Sequence, residues 1–137
     1  MNELTVAAKI ENIEKVTEFV DGQLALYRCP KKAQIQIDIA IDELFGNIAH
    51  YAYKPDEGPA TIRVEVSENP LSVILTFIDN GVPYNPLEKA DPDTSLSADE
   101  REIGGLGIYM VKKTMDEIVY EYKDGQNILK VKKSLEK

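Results

Sequence analysis

The chain has 137 residues, with 16 Lys and Arg against 24 Asp and Glu, one Cys and one His. This length predicts one domain with its own hydrophobic core, and the lone Cys and His exclude a disulfide within the chain and a Cys/His zinc site. The formal net charge of −8 argues against a surface for nucleic acid. The single Cys favours a cytoplasmic location. The sequence has no leader pattern and no long apolar run, so we expect no signal peptide and no membrane span.

The first half of the chain predicts one strand and two helices. Residues 4–8 form a short apolar run, which is typical of an edge strand. Apolar residues then recur at intervals of three or four, and this spacing predicts a first helix over about residues 10–27 and a second over about 31–52. Pro30 stands where the second helix begins.

The second half returns to strands. Residues 62–66 and 71–78 predict two neighbouring strands, the second more deeply buried. A long acidic loop covers about residues 80–105, a helix is expected over 106–117, and strands over 118–123 and 126–133 flank the hairpin turn Asp124-Gly125. The order β-α-α-β-β-loop-α-β-β predicts a single α+β domain with a mostly antiparallel sheet and about three helices on one face.

Three segments stand out as candidates for chemistry. The first is in the second helix, where Glu43 and Asn47 are four residues apart and share a face. The second is Asp79-Asn80-Gly81, directly after the most apolar strand, where an Asp accepts hydrogen bonds and a Gly admits close backbone approach. Each also has an ordinary interpretation, as a polar helix rim and as a strand-ending turn.

The third segment is a glycine-rich loop that opens a helix. Gly104, Gly105 and Gly107 would present backbone N–H groups to an anion at the positive end of the helix dipole. Their spacing matches neither the Walker A loop nor the dinucleotide fingerprint. A flexible hinge is the ordinary interpretation of the same glycines.

Taken together and in this order, the three segments resemble the N, G1 and G2 boxes of the GHKL (Bergerat-fold) ATP-binding superfamily over nearly the whole chain. The resemblance is closest to the small bacterial anti-sigma-factor serine/threonine kinases. Pro83 stands where the broader superfamily has a second glycine, as in members of that small-kinase group. The resemblance implies a two-layer α/β sandwich with an ATP lid at about residues 84–103.

The resemblance also implies roles for individual residues. Glu43 matches the general base, and Asn47 matches the ligand of Mg²⁺. Asp79 matches the acceptor for the adenine amino group, with Gly81 giving the base room. The backbone that cradles the phosphates matches Gly104, Gly105, Leu106 and Gly107.

The function implied by the resemblance is an ATP-dependent protein kinase that phosphorylates a Ser or Thr of a STAS-domain anti-anti-sigma partner. A sigma factor as a second partner and a homodimer are implied too, with no direct contact to nucleic acid or membrane. Two alternatives remain: a nucleotide-gated protein-binding module without productive phosphotransfer, and a scaffold of the same fold that binds no nucleotide.

Overall fold

The computed structural model describes residues 1–54, 56–88 and 105–136, with the backbone alone for residues 105 and 106. Within these ranges the helices are α1 (Ile13–Ala25), α2 (Lys31–Tyr51) and α3 (Gly105–Thr114). The strands are β1 (Asn2–Ala7), β2 (Pro59–Ser67), β3 (Ser72–Asp79), β4 (Glu117–Lys123) and β5 (Gln126–Ser134). The predicted order of elements is confirmed, and no helix in these ranges is long and apolar enough to cross a bilayer.

The strands form one sheet in the order β1-β2-β3-β5-β4, and each neighbouring pair is antiparallel. The central strand β3 is buried along most of its length. The helices cover one of its faces, and on the other face Thr76 and Ile78 lie among the side chains of β2 and β5. The helices and the sheet form two layers, so the predicted α+β class is confirmed. In the pairing of β3 with β5, Asp79 lies directly opposite Asn127.

The core lies between the helices and one face of the sheet. Helix α1 contributes Val16, Val20 and Leu24, which are spaced four residues apart and are fully buried. The largest fully buried side chains elsewhere are Ile37, Ile41, Leu44, Phe45, Ile62, Leu75, Phe77 and Ile108. Burial of each such side chain contributes about 1.5–3 kcal/mol, so the apolar periodicity of the sequence is also the main source of stability.

The first helix is shorter at both ends than the sequence predicts. Residues Ile10–Asn12 form a separate 3-10 turn, in which the Asn12 side chain donates to the carbonyl of Ala7, so α1 starts at Ile13. At its other end the backbone tightens into bonds to carbonyls three residues back, and Arg28 has a φ of 54°. A local apolar spacing continues through both regions, but local hydrogen bonds end the helix earlier.

The third helix ends at Thr114, three residues before the predicted end. Asp116 leaves the helix because its N–H donates to the carbonyl of Lys132 at 2.8 Å and its carboxylate accepts from the N–H of Ser134 at 2.5 Å. Glu117 then begins β4. Pairing with a distant strand, which the local pattern does not contain, decides this boundary.

Candidate functional site

A cleft opens between the C-terminal half of α2 and the adjoining parts of β3, β4 and β5. Its walls are largely apolar, with Leu44, Ile48, Phe77 and Leu129 among the lining residues. The polar groups that reach it include the side chains of Asn47, Asp79 and Asn127. A largely apolar cavity with a few convergent polar groups is the usual form of a small-molecule site.

Asp79 is one of the polar residues that line this cleft. It is the last residue of β3, and its side chain is only 5% exposed. Its Oδ1 accepts from the backbone N–H of Gly81 and from Nδ2 of Asn127, both at 2.9 Å. Burial raises the pKa of this carboxyl, while the two hydrogen bonds act in the opposite direction. Both bonds fall on Oδ1, so Oδ2 is left as the acceptor for a ligand.

Gly81 packs against the end of α2. A Cβ placed there would lie 2.2 Å from the carbonyl oxygen of Ala52, a backbone atom that cannot move aside cheaply. The next residue, Val82, donates its N–H to that same oxygen at 2.9 Å. The turn after β3 therefore needs glycine at position 81 in order to close against the helix.

Tyr53 holds the other side of the same turn. Its hydroxyl donates to the carbonyl of Pro59 at 2.5 Å and accepts from the N–H of Asn80 at 2.8 Å. Its ring lies against Gly58, where a Cβ would come within 2.3 Å of a ring carbon. This tyrosine thereby connects the end of α2, the start of β2 and the turn that carries Asp79.

Glu43 and Asn47 lie on α2, as the sequence predicts. Asn47 lines the cleft, and its Nδ2 is buried without a hydrogen-bond partner in the described part of the chain. Buried polar groups in native proteins nearly always have partners, so an orphaned amide in a cleft points to a ligand. Glu43 lies one turn earlier against Gly107, where a Cβ would come within 2.0 Å of its Oε2.

The predicted site residues thus fall into two groups joined by α2. Asn47, Asp79 and Gly81 lie at or beside the cleft, and Glu43 meets Gly107 where α2 packs on α3. Gly105 and Leu106 form the opening residues of α3. Gly104 and residues 89–103 of the predicted lid lie outside the described residues.

The sequence analysis missed Asn127 and three tyrosines of the cleft. Tyr51 and Tyr84 have ring centroids 5.4 Å apart, and Tyr120 donates its hydroxyl to Oδ1 of Asn127. A signal for Asn127 exists in the sequence of β5, where it shares the inward face with Leu129 and Val131. A lone polar residue on an apolar strand face is a buried hydrogen-bonding group, which warrants attention in a sequence.

The geometry agrees with a comparison against known families. The model of the histidine kinase-like ATPase domain matches residues 6–133. The chain belongs to this family. As a histidine kinase-like ATPase domain, it has the α+β fold that the motifs led us to expect.

Named relatives of this ATPase domain are protein kinases. It is 28% identical over 102 residues to serine/threonine-protein kinase BtrW of Bordetella bronchiseptica, a match that covers 74% of this chain and 71% of the relative. It is 35% identical over 98 residues to serine-protein kinase RsbW of Bacillus thuringiensis, and the match covers 69% of this chain and 60% of the relative. The match therefore spans less than two thirds of the Bacillus kinase.

A solved structure has the same fold. The crystal structure of the RsbU and RsbW domains of a Mycobacterium tuberculosis protein superposes with a TM-score of 0.68 at 16% identity. The superposition covers 98% of this ATPase domain and 33% of that chain. Nearly every element described above therefore has a counterpart in that structure.

Proposed function

We propose that this chain binds Mg-ATP in the cleft beside α2 and transfers the γ-phosphate to a Ser or Thr of a STAS-domain anti-anti-sigma protein. The observation that carries the proposal is the arrangement along α2. One helix presents an orphaned amide to the cleft at Asn47 and, one turn earlier, a carboxylate at Glu43 beside the first turn of α3. The kinase names of the relatives support the same reaction.

The end of the cleft beside Asp79 suits an adenine ring. Oδ2 of Asp79 is an acceptor for the amino group of the base, and the apolar walls and tyrosine rings suit its flat faces. A hydrogen bond between a charged group and a ligand contributes about 1.5–3 kcal/mol. An adenine nucleotide therefore fits this end better than a nucleotide whose base carries a carbonyl oxygen at that position, since two acceptors would then face each other.

Asn47 suits a magnesium ion that also binds phosphate oxygens. Mg²⁺ prefers oxygen ligands, and it commonly takes one or two from the protein and the others from phosphates and water. Nδ2 of Asn47 has no hydrogen-bond partner in the described part of the chain, so no bond through that atom opposes a flip of the amide that would place Oδ1 there. When bound, the ion would neutralise negative charge on the phosphates.

Glu43 is the proposed general base. Its carboxylate would take the proton of the acceptor hydroxyl as that oxygen bonds to the γ-phosphorus and the bond from phosphorus to the ADP oxygen breaks. A positioned base contributes typically 10²- to 10⁴-fold in rate. Contact with Gly107 restricts where this carboxylate can lie, which is the kind of positioning that such a base requires.

The wider proposal includes a sigma factor as a second partner, a homodimer and a cytoplasmic location. These follow from the resemblance to the anti-sigma-factor kinases, and the names of the RsbW relatives support that placement. The alternative, a nucleotide-gated module that binds a protein partner without phosphotransfer, uses the same cleft and differs only in the chemistry at Glu43.

A phosphotransfer assay tests the proposal. Wild-type protein and Glu43→Gln are incubated with γ-labelled ATP and a STAS-domain protein encoded beside this chain. We expect transfer by the wild type and a rate lower by about 10²- to 10⁴-fold for the variant, with ATP affinity retained. Asp42→Asn, an exposed neighbour on the same helix, is the matched control and should transfer normally.

Two outcomes would count against this assignment. Undiminished transfer by Glu43→Gln would remove Glu43 as the base. ATP binding and ATP-dependent binding of the STAS protein without any labelled product would support the nucleotide-gated module in place of the kinase.

A further inference from the structure

Asn127 holds a central place in the hydrogen bonding of the cleft. Its side chain is 6% exposed. Nδ2 donates to Oδ1 of Asp79 at 2.9 Å and to the carbonyl of Val82 at 2.8 Å. Oδ1 accepts from the N–H of Tyr84 at 3.0 Å and from the hydroxyl of Tyr120.

These four bonds use the full capacity of the amide. A primary amide has two donor hydrogens and an oxygen with two lone pairs, and each is matched here by a partner of the complementary kind. The orientation of the amide is also determined, because the N–H of Tyr84 can only donate and the carbonyl of Val82 can only accept. Asn127 therefore holds one conformation with a defined donor face and a defined acceptor face.

The donor face sets the position of Asp79. The two residues lie opposite each other on β3 and β5, so the sheet holds them side by side. Asn127 occupies Oδ1 of Asp79 together with the N–H of Gly81, which leaves Oδ2 for the ligand. These two hydrogen bonds lower the pKa that burial raises, and so they favour the charged form that accepts a hydrogen bond.

Asn127 also holds the chain segment that forms the neighbouring wall of the cleft. Asn127 binds the backbone on both sides of Pro83, at the carbonyl of Val82 and the N–H of Tyr84. Tyr84 and Val82 both line the cleft, and the ring of Tyr84 packs on that of Tyr51. One amide thus fixes both the Asp79 carboxylate, which would bind the adenine ring, and the chain segment that lines the same part of the cleft.

We propose that Asn127 is a positioning residue for recognition of the adenine amino group: it holds Asp79 with Oδ2 directed at the base and anchors residues 82–84 around it. This inference rests on the ATP-binding function proposed above. It differs from a purely structural role in one respect. Loss of a purely structural residue would weaken all nucleotides equally, whereas loss of Asn127 would weaken a nucleotide that carries the amino group more than one that lacks it.

The test compares two ligands, ATP and purine riboside triphosphate, which lacks the 6-amino group. Their dissociation constants are measured by calorimetry with Mg²⁺ for wild type, Asn127→Leu and Asn127→Ser. Wild type should prefer ATP by about tenfold or more, the worth of one charge-assisted hydrogen bond. In Asn127→Leu this preference should fall to within about twofold, because Asp79 loses its alignment. The preference of Asn127→Ser for ATP should lie between those of the wild type and Asn127→Leu.

The control is Gln126→Ala, the preceding residue of β5, whose side chain bonds Asn80 outside the cleft. It should keep the wild-type preference for ATP.

The pH dependence of ATP binding is a second readout. The midpoint below which ATP affinity falls should move to higher pH in Asn127→Leu, since Asp79 loses a bond that favours its charged form.

Each result has a distinct meaning. A folded Asn127→Leu or Asn127→Ser with the wild-type preference and pH midpoint would overturn the inference, as would weakening of both ligands by the same factor. If Asn127→Leu does not fold, the serine variant alone decides by the same criteria. Failure of the wild type to bind ATP would instead reject the proposed function.

Discussion

At the scale of single residues, the contact between Glu43 and Gly107 makes a prediction. A Cβ at position 107 would overlap the Glu43 carboxylate, which is the far end of a long side chain and must therefore move from its present position. We expect Gly107→Ala to lower the phosphotransfer rate at least about tenfold, since the proposed base is displaced. Thermal stability should be retained, because alanine is the better helix former.

The matched control for this substitution is Gly22→Ala. Gly22 lies in the interior of α1, is exposed, and has open space where the Cβ would be. This change should raise stability by about 0.5–1 kcal/mol and leave phosphotransfer unchanged. Wild-type transfer by a folded Gly107→Ala would mean that the Glu43 carboxylate has no required position.

At the scale of elements, the interface of α1 and α2 contains a pair of carboxyl groups. Asp21 on α1 and Asp38 on α2 are hydrogen-bonded, and each has a buried Oδ1 without a hydrogen-bond partner in the described residues. Burial, the bond to Asp21 and the charges of Asp21 and Asp42 raise the pKa of Asp38 to about 7. Burial and the charges of Asp21 and Asp38 raise the pKa of the Cys29 thiol. The helices therefore pack best when Asp38 is protonated.

This pair predicts a pH dependence of stability with a defined sign. The pKa of Asp38 is higher in the folded protein than its usual value of 3.8, so its contribution is present at low pH and is lost as pH rises towards about 7. Asp38→Asn should flatten the decline of the melting temperature between pH 5 and pH 8 and raise it at pH 8. The measurement is thermal unfolding followed by circular dichroism at several pH values.

Glu18→Gln, an exposed change of the same charge on α1, is the control and should leave the slope unaltered. A slope in Asp38→Asn equal to that of the wild type would show that the carboxyl pair does not govern the docking of the two helices.

At the scale of the whole molecule, the sequence predicts the order of elements and the candidate site on α2, β3 and α3. Period 3.6 and period 2 patterns suffice for this, because one face of each element meets the core. Partners across the sheet are invisible to such patterns. Asn127 acquires its role only when β5 pairs with β3, and Asp116 ends α3 only because it bonds to β5.

The sequence motifs also do not predict the cleft. Tyr51 and Tyr84 are 33 positions apart, and nothing local indicates that their rings meet. The match to the histidine kinase-like ATPase family gives the fold and the class of protein, and the geometry adds which atoms remain unpaired around the cleft. The unpartnered Nδ2 of Asn47, together with Asp79, whose recorded hydrogen bonds in the described residues both fall on Oδ1, is the physical basis of the proposed nucleotide site.

The most direct measurement is the calorimetric dissociation constant of Mg-ATP for wild type, Asp79→Ala and the control Asn80→Ala, whose side chain is exposed beside the same turn. If the cleft is the nucleotide site, wild type and Asn80→Ala bind alike, and a folded Asp79→Ala binds at least about tenfold more weakly, as loss of a charge-assisted hydrogen bond requires. Equal affinities for wild type and Asp79→Ala would contradict the assignment of this cleft.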